Sequence, residues 1–360
     1  MERSRTFNWL HISDFHFGTL NANRKWEQIR SIFHADIEKH LAKSESIDLV
    51  VFSGDLTEKG LESEFNDVFN ELCLMWNAFR EYDQDPYLFV VPGNHDLIRP
   101  KATAPILLAI KNWGIDTDLE DAVFTDQDSA YAQDIKSAFA EYTRFISKLE
   151  SSDIKLALDR EGAIPGDGSA SLEVRGRKVG IVGLNTAWSH LKGGDLKSKL
   201  LISDQQIHGA VTGTISSWIA AHDINLLVTH HPDNWLTNDS AATFRNEINP
   251  LNRFSAHLFG HMHESITKLE DFAQGTSKLS LQSASLFGLE RFAGNKHDRR
   301  HGYYYAQVDF EKSTLQIWPK HAELISGAGG WRMRAETTSL PDNETESVVI
   351  SLKINNQKKK

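Results

Sequence analysis

A chain of 360 residues that is 40% hydrophobic, 24% charged and 10% aromatic has the make-up of a globular protein, one elaborate domain or two ordinary ones, and excludes a disordered or fibrous one. Apolar runs such as 105–110 fall far short of a membrane span, the opening residues lead into a strand instead of a signal peptide, and a single cysteine, Cys73, permits neither an intramolecular disulfide nor a thiolate metal cluster. Thirty-nine basic against 49 acidic residues leave a formal charge of −10, which argues against a nucleic-acid coat protein; the expected setting is a reducing cytoplasm without a membrane partner, and nothing here sets an oligomeric state.

Along the chain, residues 8–13 read as a short apolar strand that stops at Asp14-Phe15-His16-Phe17-Gly18. Residues 23–43 carry apolar side chains at helical spacing (Trp26, Ile29, Ile32, Phe33, Ile37, Leu41). A continuous apolar run at 47–52, closed by Ser53-Gly54-Asp55, has the pattern of a strand buried on both faces. A second helix is expected over about 61–80, and a strand at 87–91 is broken by Pro92-Gly93. This alternation predicts βαβ units. From 99 to 165 the pattern turns mostly helical, which predicts a cap-like insert. Strands return at 170–174 and 178–184, a helix is expected near 203–222, and further strands at 224–229 and 256–259. Three or four antiparallel strands close the unit, at about 265–271, 277–284, 302–310 and 314–318. Residues 1–320 are therefore expected to form one domain carrying the 99–165 insert. A 321–360 extension would add one strand, at 347–354, and a solvated basic tail, Lys358-Lys359-Lys360.

Of 16 histidines, six fall in short polar clusters that follow apolar strands. The clusters are Asp14-x-His16, Gly54-Asp55, Gly93-Asn94-His95-Asp96, His230-His231 and Gly260-His261-x-His263. In sheets of this class ligands gather beyond the carboxyl ends of the strands, so all five are expected at one edge. Carboxylate, imidazole and one carboxamide, with no sulfur, suit divalent Mn, Fe or Zn. Two such ions bring +4 against the −2 of Asp14 and Asp55, leaving about two positive charges to meet a phosphate. A carboxylate such as Asp55 can bridge the ions roughly 3.5–4 Å apart, so that water is activated and phosphate oxygens are clamped.

In this order the clusters resemble the calcineurin-like metallophosphoesterase superfamily, over residues 8 to about 285 and on to the closing strands near 318. The second motif reads Gly54-Asp55-Leu56-Thr57-Glu58, with an acid in its last place, and the insert at 99–165 exceeds that of compact members. The resemblance implies an α+β fold, a four-layer α/β/β/α sandwich. It implies one metal held by Asp14, His16, Asp55 and His263 and another held by Asp55, Asn94, His230 and His261. It also implies that His95 stabilises the transition state or protonates the leaving oxygen, with Asp96 orienting it.

Of the adjacent pair, His230 is expected to face the metals and His231 to support it or touch substrate. Asn185, following a strand, is a candidate on a substrate-facing loop, and Trp188 and Trp235 are candidates to stack a base. The densest basic stretch holds Arg291, Lys296, His297, Arg299, Arg300 and His301; Arg299 and Arg300 are candidate phosphate contacts in a loop. The function expected is hydrolysis of a phosphodiester, a cyclic or linear nucleotide, with two divalent ions, Mn²⁺ foremost and Fe or Zn as alternatives. The rivals are a DNA or RNA nuclease, for which the basic stretch speaks, a phosphoprotein phosphatase, and a non-catalytic scaffold, which would be expected to lack ligands.

Overall fold

The computed structural model describes residues 5–18, 22–42, 46–116, 118–262, 266–272, 276–286, 290–292, 296–298, 301–325, 330–340, 344 and 346–355. Two βαβ units come first: β1 (Thr6–Ile12), α1 (Ala22–Ala42), β2 (Leu49–Phe52), α2 (Glu62–Arg80) and β3 (Tyr87–Val90), with the three strands parallel. Four helices follow, α3 (Pro105–Lys111), α4 (Asp118–Phe124), α5 (Ala130–Ala138) and α6 (Ala140–Glu150). The chain rejoins β3 through the short β4 (Lys155–Leu156) and starts a second sheet at β5 (Arg160–Glu161).

That second sheet takes up β6 (Gly168–Val174), β7 (Arg177–Gly183), β8 (Ile224–Val228), β9 (Ala256–Phe259), β10 (Ile266–Phe272) and β11 (Thr276–Gln282), with α7 (Asp204–Ala210), α8 (Ile215–Ala220) and α9 (Asn238–Thr243) in the connections. A separate hairpin, β12 (Glu290–Phe292) and β13 (Lys296–Asp298), precedes the return of β14 (Gly302–Asp309), β15 (Thr314–Ile325), β16 (Gly330–Ala335) and β17 (Val348–Ser351) to the first sheet. Among the described residues the sheet orders are β16-β15-β14-β1-β2-β3-β4, with β17 also on β15, and β10-β11-β9-β8-β7-β6-β5.

Strand alternation assigns the layers. Phe7 and Trp9, Leu49 and Val51, and Phe89 and Val91 point between the sheets, where they meet Val179, Ile181, Leu226, Val228 and Leu258. Their neighbours Leu10, Ile12, Val50, Phe52, Leu88 and Val90 point the other way, onto a core shared with α1, α2 and the helices at 105–150. On the outer face of the second sheet, Val182 and Leu227 pack with Ile207, Ile215, Trp218 and Phe244. The architecture is thus an α+β sandwich of helix, sheet, sheet and helix. Strands buried on both faces carry near-continuous apolar runs, which is why 47–52 reads as it does.

Two expectations are corrected. The helix near 203–222 is two helices: Ser203 caps α7 by accepting from the Gln205 amide, and Gly213, at φ +76°, breaks the chain before Thr214 caps α8. Residue 320 marks no break, since β15 runs through it, and β16 and β17 both extend the first sheet. The missed strand, β16, has Trp331 and Met333 alternating with Arg332 and Arg334, a pattern too short to stand out beside polar neighbours.

Candidate metal centre

The parallel strands β1, β2 and β3 of one sheet and β8 and β9 of the other stop at a common edge, and the polar clusters meet there. The first two turns are laced together by their backbones: the Asp14 amide donates to the Gly54 carbonyl at 2.9 Å, His16 to Asp55 at 3.0 Å and Phe17 to Leu56 at 3.0 Å. The second sheet joins through side chains. The His261 amide donates to Asp14 Oδ2 at 3.0 Å, and His230 Nδ1 donates to the Ser53 carbonyl at 2.8 Å. Because a carbonyl only accepts, that contact fixes the His230 tautomer and turns Nε2 toward Asp55 Oδ2, 3.2 Å away.

Asp14, His16, Asp55 and His261 all have φ between 47° and 73°, the left-handed region. For non-glycine residues this costs on the order of 1–2 kcal/mol each, and its concentration on one edge is the mark of a site held open by the fold around it. Two glycines allow the close approach. A Cβ on Gly93 would lie 2.1 Å from Asp55 Oδ1, and one on Gly260 would lie 2.6 Å from Asp14 Oδ2.

Among the described residues, three groups of donor atoms lie within 4.8 Å of one another: Asp14, Asp55 and His230; His16, Asp55 and His95; and His230, His231 and His261. Asp55 belongs to two of them. His16 Nε2 stands 3.8 Å from both Asp14 Oδ1 and Asp55 Oδ2, too far for a hydrogen bond but the span of two donors about 2.1 Å from a shared ion. The buried carboxylates and the imidazoles facing them each favour the other's charged form. Burial alone would raise Asp55, but His230, His95 and His16 hold it well below the carboxylate range. Burial alone would lower His230, but Asp55 and Asp14 push it up to about 9. The donor set fits divalent ions of borderline character.

His95 leaves the loop after β3 with its amide donating to Asp55 Oδ1 at 2.7 Å. Its ring is packed edge-on against His16, centroids 4.8 Å apart, and 31% of the side chain is exposed. Nδ1 donates to the Glu58 carbonyl at 2.8 Å, which leaves Nε2 as the nitrogen able to act on a substrate. Although burial opposes it, Asp55 and then Glu58 raise the ring above its ordinary value.

Asp96 is placed differently from expectation. Its carboxylate accepts the amides of Leu56 at 3.1 Å, Thr57 at 2.9 Å and Gly93 at 2.8 Å, and the Thr57 hydroxyl at 3.0 Å. It ties the β2 and β3 loops together, while the His95 ring is oriented by Glu58. Burial and the nearby Asp55 push Asp96 up to about 7.

His231 is buried like His230, with Nε2 at 3.0 Å from Asn94 Oδ1 and Nδ1 at 3.0 Å from the Thr186 hydroxyl. Burial holds it well below its ordinary value, as do His261, His230 and His190, so it is a neutral imidazole that orients Asn94. Asn185 is placed differently: it is fully buried, and its carboxamide donates to the Pro165 carbonyl at 2.8 Å and accepts the Ala187 amide at 2.8 Å, so it holds backbone together. Trp188 is corrected too, being buried between Trp113 and Phe124 at 5.2 and 5.4 Å between centroids. Trp235 sits edge-on to His261 at 4.0 Å and donates to Met262 Sδ, so it braces a histidine instead of waiting for a base. His263, Arg299, Arg300 and the tail at 358–360 lie outside the described residues. The basic stretch expected as a loop contains the hairpin β12–β13.

Glu58, Thr186 and His190 received no role from the sequence. Glu58 alone had a signal, as the acid three residues after Asp55; Thr186 and His190 reach His231 from 45 and 41 residues away.

A family model described as calcineurin-like phosphoesterase matches residues 7–265. Among solved structures, the chain is similar to a purple acid phosphatase, PPD1, from yellow lupin (12% identity, 97% of this chain and 54% of that one, TM-score 0.46) and to a putative 5'-nucleotidase from Staphylococcus aureus (10%, 96% and 54%, TM-score 0.41). It is also similar to Vps29 from Chaetomium thermophilum (9% identity, 96% and 99%, TM-score 0.33). The chain spans about half the length of the first two. No curated protein sequence matches it. No described helix is long and apolar enough to cross a membrane.

Proposed function

The chain belongs to the calcineurin-like phosphoesterase family and is a metal-dependent hydrolase of phosphoric esters, and on that premise we propose that it is a phosphodiesterase acting on a small nucleotide. Asp55 carries the reading, because one buried carboxylate shared between two donor groups is the arrangement a pair of divalent ions needs. Asp14, His16 and Asp55 would hold one ion, with His263 completing the set, and Asp55, Asn94, His230 and His261 the other; Mn²⁺ is the preferred metal. When bound, such a pair lowers the pKa of water and neutralises charge on phosphate oxygens.

The residues do the rest. The Ser53 and Asn94 contacts fix the directions of His230 and His231, so little reorganisation is needed as charge develops. His95, with Nδ1 tied to Glu58, presents Nε2 to the leaving oxygen and can give it a proton. Asp96 keeps that loop against the β2 loop. The net charge of −10 suits a small diester better than a long polyanion.

The test is a substrate panel with Mn²⁺: bis(p-nitrophenyl) phosphate, p-nitrophenyl phosphate, a 2',3'- and a 3',5'-cyclic nucleotide, single-stranded DNA and a phosphopeptide. The expected order puts a diester first, with a cyclic nucleotide cleaved at a rate that changes little between 50 and 200 mM salt. Preference for the monoester or the phosphopeptide would overturn the diester reading. Cleavage of DNA that collapses with salt would favour the nuclease.

A further inference from the structure

A cavity of about 440 Å³ opens between α5–α6 and the segment running from β4 into β6. Its walls are apolar, with Phe89, Tyr142, Ile146 and Ile164 among them, and the volume falls in the range of small-molecule sites. The Tyr142 hydroxyl is already used, donating to the Val90 carbonyl at 3.2 Å. Lys136 and Glu161 also line the cavity, where they balance one another, and the Lys136 ammonium is taken by the Gln127 carbonyl at 2.9 Å.

Asp167 is the exception in this lining. It is 2% exposed, and its Oδ1 accepts the Asn185 amide at 2.7 Å and the Gln206 carboxamide at 2.9 Å. Oδ2 is buried without a hydrogen-bond partner among the described residues. A carboxyl oxygen left unanswered beside an apolar cavity is costly to the fold and has no task in the hydrolytic site.

We propose that this cavity is a second binding site, for a small amphiphilic cation: an apolar body filling the space among Tyr142, Ile146 and Ile164, with one protonated amine paired to Asp167. The charges support a cation over a neutral or anionic head. Lys136 and Glu161 bring opposite charges, Asp167 gains its charge only when an ammonium displaces its proton, and an anion would face two carboxyls. Burial pushes Asp167 up to about 8, against the bonds from Asn185, Gln206 and Ile164. At pH 7 an ammonium therefore has to displace a proton held only about tenfold in favour, a small cost beside a buried ion pair.

Titration calorimetry on the full, metal-loaded chain at pH 7, with 4-phenylbutylamine, 4-phenylbutanol and 4-phenylbutyrate, separates the head groups on one body. The amine is expected to bind saturably, the alcohol at least tenfold more weakly and the carboxylate more weakly still. Asp167→Asn should cost the amine tenfold or more and leave the alcohol unchanged. Thr143→Trp, at an exposed lining position where the new ring fills the cavity without disturbing the core, should remove binding of both. The proposal is overturned if the amine binds no better than the alcohol, if Thr143→Trp leaves its affinity intact, or if no probe binds at millimolar concentration.

Discussion

Asp55 faces two ways at once, receiving the His95 amide on Oδ1 and opposing His230 with Oδ2. Asp55→Asn keeps the amide contact but halves the acceptor capacity and removes the charge that draws cations in. Metal content by elemental analysis should fall from about two ions per chain to one or fewer, and turnover by about 10³-fold or more, since both ions lose a ligand. Chelation should likewise silence the wild type, and Mn²⁺ should restore it; activity in a metal-free preparation would end the two-ion reading. His95→Ala is expected to behave in the opposite way. Both ions stay, while the rate on an alkyl leaving group drops about 10²–10⁴-fold. On a nitrophenolate, which departs without a proton, the loss should be much smaller. An equal loss on both would make His95 a stabiliser of phosphoryl charge instead.

The helices between Ile98 and Leu149 are anchored to the body by particular side chains. The Ile98 amide donates to the Ala138 carbonyl at 2.8 Å, and Trp188, from the loop after β7, is gripped by Trp113 and Phe124. We expect this segment to restrict which substrates reach the metals. Trp188→Ala should cost about 3–5 kcal/mol in denaturant unfolding as a cavity opens under α4. The surviving folded enzyme should accept bulkier diesters with little change on a small one; uniform loss across the panel would show the segment to be structural only.

The elements legible in the sequence were those whose signal is local. Apolar runs such as 47–52 and the helical spacing around Trp76 announce their burial within a few residues, and so do strand-end clusters such as Asp14-x-His16. What depended on distant partners was not legible. Asp96 looks like a partner for its neighbour His95, yet it serves amides 39 and 40 residues away. Asn185 looks like a site residue, because nothing nearby shows Pro165 folding back over it.

At the scale of the molecule, buried carboxyls make stability depend on pH. Asp167 keeps its proton in the folded chain up to about pH 8, whereas an unfolded aspartate loses it near 3.8. Between those values the folded state binds more protons, so its stability falls as pH rises, by about 1.4 kcal/mol per unit; the contribution is full below about 3.8 and gone above about 8. Asp167→Asn, neutral throughout, removes this slope. Urea unfolding at pH 5.5 and 7.5 should therefore show the variant gaining about 2–3 kcal/mol on the wild type at the higher pH. Parallel shifts in both proteins would mean that Asp167 ionises normally.

The pairing of β1 with β14 sets Thr6 opposite Asp309 and Leu10 opposite Tyr305 in the interior of the first sheet. On the ribosome, β1 must wait for β14, roughly 15–60 s at ordinary rates of synthesis. During that delay β1 has β2 on one side and an open ladder of amides and carbonyls on the other, carrying Trp9 and Phe7 toward whatever lies near. Asp14 and His16 hang from the end of that strand, so the metal centre stays incomplete until β14 arrives. Nascent chains arrested before residue 302 should consequently be captured by holdase chaperones and bind no metal, and release past residue 310 should end both conditions together.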